Sequence, residues 1–186
     1  MKTNYFLWTL ITIIMMSGTN AKAQTASEAK KVLVAYFSWS GNTRVIAKQI
    51  QELTGGELFE IQTSKPYPEE YRRCTEAAKK EKEADARPEL KAKVSGMETY
   101  DVVFVGFPNW WGTTPMAIRT FLESYDFSGK TVIPFCTHGG GGEQNCFKDF
   151  EKYTGKAITK SGFITNGSNV NSARPQVEKW LHKAGI

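Results

Sequence analysis

The residues best suited to chemistry are the hydroxyls of Ser38, Ser40 and Thr43, gathered in the turn Ser38-Trp39-Ser40-Gly41-Asn42-Thr43. The turn follows an apolar run, Val32 to Phe37, and leads into a helical pattern with Ile46, Ile50 and Leu53 on one face. A strand that turns sharply at a glycine into a helix aims free backbone N–H groups and a helix N-terminus at one point, which suits an anion. The same residues also read as ordinary helix caps around a turn glycine. Two further loops bear on the choice.

Pro108-Asn109-Trp110-Trp111-Gly112-Thr113 sets two tryptophans side by side where neither helical nor strand periodicity asks for a large ring. They either pack against a flat ligand or plug the end of the core. Thr137-His138-Gly139-Gly140-Gly141-Gly142 carries four successive glycines, which are costly to order and let a backbone approach a ligand closely; a merely flexible loop is the alternative. His138 is a candidate for proton transfer or a hydrogen-bonded loop histidine.

The elements that must position these loops alternate. Val32–Phe37, Glu57–Gln62, Asp101–Phe107, Thr131–Cys136 and Lys156–Ile164 read as strands. Helical patterns over Thr43–Leu53, Glu69–Ala84, Met116–Tyr125, Glu143–Tyr153 and Arg174–Ala184 fall between and after them. Such alternation predicts an α/β fold, a three-layer sandwich with a five-stranded parallel sheet. Val102-Val103-Phe104-Val105 is apolar throughout, as in a central strand buried on both faces, and Pro134 predicts a bulge or nearby edge. In an open parallel sheet, ligands bind beyond the carboxyl ends of the strands. All three loops lie at such ends.

The first 23 residues have another purpose. Lys2, an apolar stretch from Phe6 to Met16 and Ala21-Lys22-Ala23 form the pattern of a cleaved secretory signal, so the domain is expected to span residues 24–186 of an exported, periplasmic protein. The net charge of +5 becomes +3, 22 basic against 19 acidic residues, once Lys2 and Lys22 are removed. Basic and acidic residues are interspersed between Glu69 and Lys93, at spacings such as Glu76/Lys80 and Lys79/Glu83 that suit a solvated helix face rather than a nucleic-acid surface. Three cysteines and two histidines give a structural metal little to bind. Cys136 and Cys146 read as buried thiols, with a bridge between them as the alternative.

The turn Ser38 to Thr43 resembles the (Ser/Thr)-x-(Ser/Thr)-Gly-x-Thr phosphate loop of flavodoxins. Phe107 to Thr113 and Pro134 to Gly140 resemble the two ring-binding loops of a bacterial branch of that family. The resemblance implies a short-chain flavodoxin fold with strand order 2-1-3-4-5 and noncovalent FMN as cofactor. It implies that Ser38, Trp39, Ser40, Gly41, Asn42 and Thr43 hold the phosphate, with Arg44 a possible added charge. Pro108, Asn109, Trp110, Trp111 and Gly112 would flank one side of the ring, a carbonyl near Asn109 or Gly112 facing its N5, and Thr137, His138, Gly139, Gly140 and Gly141 would line the other. The implied role is electron transfer with a redox partner protein or a small acceptor. An FMN-dependent reductase of quinones or similar flat molecules, with Tyr67, Tyr71 and His138 bordering the substrate, is the second reading, and a flavin-storing module the third. Flavodoxin carriers are usually strongly acidic, so the slightly basic charge here points to a different docking partner.

Overall fold

The computed structural model describes residues 30–186, and the signal-like segment lies outside them. Strands β1 (Val32–Tyr36), β2 (Glu57–Glu60), β3 (Val102–Pro108), β4 (Thr131–His138), β5 (Ile158–Thr159) and β6 (Phe163–Asn166) form one parallel sheet. Its order is β2-β1-β3-β4-β5, with β6 also on β4. Helices α1 (Asn42–Thr54), α2 (Tyr71–Glu83), α3 (Met116–Glu123), α4 (Cys146–Glu151) and α5 (Arg174–Lys183) cover it.

Side chains alternate across the sheet, so each central strand feeds two cores. Val34, Tyr36, Phe104 and Phe135 pack with Ile46 and Ile50 of α1 and Val177 and Leu181 of α5. Leu33, Val103, Val105 and Phe107 pack on the other face with Ile118, Phe121 and Leu122 of α3 and Phe150 of α4. Val102, Val103, Phe104 and Val105 of β3 are all buried, as their unbroken apolar run predicts. Fully burying each Val or Phe in such a layer contributes about 1.5–3 kcal/mol.

The expected fifth strand is two. Thr131 and Val132 pair with Ile158 and Thr159, whereas Phe135 to His138 pair with Phe163 to Asn166, leaving a gap opposite Ile133 and Pro134. The ladder runs Ile158 N–H to Lys130 O (2.9 Å) and Lys160 N–H to Val132 O (3.4 Å). The return bond to Lys160 O would be donated by residue 134, and proline has no N–H. The ladder breaks there and resumes as β6. Pro134 thus interrupts one neighbour while β4 stays in register with β3, Val105 opposite Pro134.

Helix α4 is shorter than its expected Glu143–Tyr153 span. Gly142 (φ 70°) and Gln144 (φ 49°) are left-handed, so helical geometry cannot begin before Asn145. On α2 the Glu70 side chain accepts from Arg72 N–H at 3.0 Å and caps the start. The Lys79–Glu83 pair forms at 3.8 Å, while Glu76 meets Arg72 rather than Lys80.

Candidate functional site

Strands β1, β3, β4 and β6 all end at one edge, where a cavity of about 760 Å³ opens. Its polar end has Ser40, Asn42, Asn166, Gly167 and Ser168, and Trp39, Tyr71, Trp110 and Trp111 form its aromatic walls. Thr137, His138, Gly139 and Asn109 line the same space.

The first turn depends on Gly41, whose φ of 89° precedes α1 and turns the chain into it. Arg44 N–H donates to Ser38 Oγ at 3.2 Å, and the buried hydroxyls of Thr43 and Thr137 pair at 2.9 Å. The turn therefore caps α1 while presenting Ser40 and Asn42 to the cavity. Ser38 faces a separate groove beside Tyr67, and Thr43 lies beneath the floor, tying the first loop to the third. Arg44 is directed away as well. Its guanidinium donates to Glu60 at 2.5 Å, leaving neutral donors at the polar end.

Asn109 joins the second and third loops. Its backbone N–H donates to Thr137 O (2.7 Å), its Nδ2 donates to Gly142 O (2.7 Å), and its Oδ1 accepts from Gly112 N–H (2.9 Å). Gly112 O accepts from Asn145 N–H at 3.0 Å, so that carbonyl is already used. Pro108, at the end of β3, is opposite Thr137. Gly112 and Gly141 line a shallower cleft behind the same loops, with Gln144 between them. Gly140 lines neither space; its N–H donates to His138 Nδ1 at 3.0 Å, which leaves Nε2 as the protonated nitrogen of a neutral His138.

The two tryptophans differ. Trp110 is partly buried and is backed edge-on by Phe37 (5.2 Å) and Tyr67 (4.9 Å), so it serves the core and the cavity wall together. Trp111 is 48 % exposed and has a left-handed backbone, φ 55°. Its Nε1 donates to Thr75 O of α2 at 2.9 Å.

Helix α2 supplies a wall that sequence patterning missed apart from Tyr71: Cys74, Thr75 and Ala78 face the cavity. With Tyr71 they fall at i, i+3, i+4 and i+7, a stripe of small residues too narrow to stand out in a charged helix. Burial, with the charge of Glu81, pushes the Cys74 thiol up to about 11. Tyr67 sits behind Trp110 instead of on the cavity wall, its hydroxyl donating to Glu81 at 2.6 Å. The fourth loop, Asn166-Gly167-Ser168, was also missed, although it too follows a strand end. Gly167 leaves room there for the Asn42 amide, since a Cβ would lie 2.4 Å from Asn42 Nδ2 and push it aside.

Cys136 and Cys146 are free, buried thiols, which settles the choice against a bridge. A hydrogen bond with Cys146, and then burial, raise the Cys136 thiol far above its ordinary value.

A family model for flavodoxin matches residues 31–184. The chain belongs to the flavodoxin family. Two solved Bacteroides structures, each described provisionally as a flavoprotein, are similar to it over nearly their whole length. The B. uniformis protein is 34 % identical with a TM-score of 0.74, covering 83 % of this chain and 99 % of its own. The B. eggerthii protein is 32 % identical with a TM-score of 0.68, covering 80 % and 98 %. A Lactobacillus acidophilus flavoprotein in complex with FMN, 24 % identical over 77 % of this chain and 98 % of its own, shares the fold at a TM-score of 0.67. The comparison with curated proteins gave no match. Within the family, the strand order 2-1-3-4-5 and the loop placement expected from the sequence both hold here.

Proposed function

We propose that this flavodoxin-family protein binds one FMN in the strand-end cavity and serves as an exported redox protein, exchanging electrons with a protein partner or a small acceptor. The observation that carries the reading is the two-ended cavity. Neutral donors at Ser40, Asn42 and Ser168, with the N-terminus of α1, suit a phosphate, and Trp39, Trp110 and Trp111 suit a flat ring. Gly167 keeps the polar end open to the Asn42 amide. Bound FMN supplies the redox chemistry, and the chain binds and orients it. The Asn109 bridge fixes both ring loops, and His138, with Nδ1 satisfied by Gly140, presents an Nε2–H donor to the cavity. Export rests on the signal-like pattern of residues 1–23.

The wall from α2 favours a second reading. Tyr71, 72 % exposed at the cavity mouth, leaves an aromatic surface on which a quinone or similar flat acceptor could stack, which suits a reductase. Stepwise reduction of the FMN-loaded protein separates the two. A carrier builds up a transient long-wavelength absorption band before bleaching. Direct bleaching, with rapid multiple-turnover reduction of a quinone, identifies the reductase.

A further inference from the structure

We infer that Lys82 is a positioning residue for the ring end of the cavity, holding the Trp111 turn and, with Lys79, bringing positive charge to its rim. The inference rests on the reading that FMN occupies this cavity. Trp110 needs no outside support, because Phe37 and Tyr67 pack behind it. Trp111 has no such backing. A residue with a Cβ is strained in the left-handed region; the paired Trp110 and Thr113 backbone hydrogen bonds, 3.2 Å each, close the turn, and contacts from outside it fix the Trp111 ring and carbonyl.

Helix α2 holds it at three points. Lys82 Nζ donates to Trp111 O at 2.7 Å, Thr75 O accepts from the indole Nε1 at 2.9 Å, and Lys79 Nζ lies 5.6 Å from the centre of the ring. The Lys82 bond fixes the peptide between Trp111 and Gly112. Through the Gly112 N–H that same peptide meets Asn109 Oδ1, and Asn109 Nδ2 continues to Gly142 O. One ammonium therefore sets the orientation of a hydrogen-bonded chain that crosses both ring loops.

The charges are as telling as the bonds. No carboxylate is among the described residues that line the cavity. On α2, Glu83 is paired with Lys79, and Glu81 is turned to the Tyr67 hydroxyl. Lys82 has no carboxylate partner among the described residues, so its charge at the rim is not neutralised. Such a charge favours whichever state of a bound ring carries more negative charge, and it raises the reduction potential.

The test compares Lys82→Met, Lys82→Arg and Lys79→Gln with the parent, measuring FMN affinity, midpoint potential at low and at about 0.5 M salt, and thermal unfolding. Lys82→Met should bind FMN about tenfold more weakly, from the loss of one charge-assisted hydrogen bond and its restraint on the loop. Its potential should move to more negative values, and the difference from the parent should shrink in high salt. Lys82→Arg should restore both. Lys79→Gln, which removes only the ammonium over the Trp111 ring, should weaken FMN by less than Lys82→Met and shift the potential by less. Should Lys82→Met fail to fold, Lys82→Arg and Lys79→Gln decide: an Arg variant at parental values and a salt-sensitive negative shift for the Gln variant support the inference. Parental affinity and potential in Lys82→Met, or an unshifted Lys79→Gln where Lys82→Met does not fold, overturn it. A parent that does not bind FMN overturns instead the reading of the cavity.

Discussion

Gly167→Ala separates the two ends of the cavity. Gly167 has no left-handed backbone to defend, so the substitution acts through the added methyl alone. That methyl would meet Asn42 Nδ2 at 2.4 Å, about 1 Å inside ordinary contact, and the amide must swing away. The fold tolerates this, because the displaced atom is the end of a side chain. Any repacking cost is partly offset by the roughly 0.4–1 kcal/mol gained as Ala restricts the unfolded chain. A displacement of about 1 Å takes a hydrogen bond out of range. Losing one bond to a charged phosphate costs about 1.5–3 kcal/mol, or roughly 10- to 100-fold in affinity. Riboflavin, which lacks the phosphate, should change by no more than about threefold, or about 0.7 kcal/mol. Titrations of both flavins by tryptophan quenching, with thermal unfolding as the control, make the comparison. Parental FMN affinity in a stable Gly167→Ala protein, or equal losses for both flavins, would refute the placement of the phosphate beside Asn42.

Thr43→Ala should also weaken FMN more than riboflavin, and it should cost about 1–3 kcal/mol in denaturant unfolding because the buried Thr137 hydroxyl loses its 2.9 Å partner. Trp110→Ala should weaken both flavins alike by about 1–3 kcal/mol, the scale of aromatic stacking on a base; unchanged affinity and visible spectrum would remove Trp110 from the ring site. Glu81 has a raised pKa, chiefly because burial disfavours its charge, with the Tyr67 hydrogen bond opposing the shift. A carboxyl raised in the folded state favours folding at low pH and loses that advantage as pH rises through its folded value. Glu81→Gln should therefore raise the unfolding temperature at pH 7, with the gain shrinking toward about pH 4, near the ordinary glutamate value; a gain that is flat with pH would contradict this.

Much of this architecture was legible because burial leaves a pattern. The unbroken apolar run of β3 marked a central strand, and the hydroxyl-rich, tryptophan and glycine loops lay where strand ends had to meet. The division of the last strand was harder to read. Pro134 signalled a defect, but which neighbour lost its bond depends on the phase of the ladder, which is a tertiary property. The α2 wall was hidden for a different reason: Cys74, Thr75 and Ala78 are too small and too few to mark a face among the charges of that helix. Arg44 looked like a phosphate ligand by adjacency, yet Glu60, sixteen residues away, is its partner. Gly167 carried a signal, a glycine after a strand end, that gained meaning only beside Asn42.

The most direct measurement is a titration of the folded protein with FMN, followed by tryptophan quenching and the visible spectrum, with riboflavin as the matched control. The account predicts saturation at one equivalent of FMN per chain, a perturbed flavin spectrum, and distinctly weaker binding of riboflavin. No saturable FMN binding, or riboflavin binding as tightly as FMN, would contradict it.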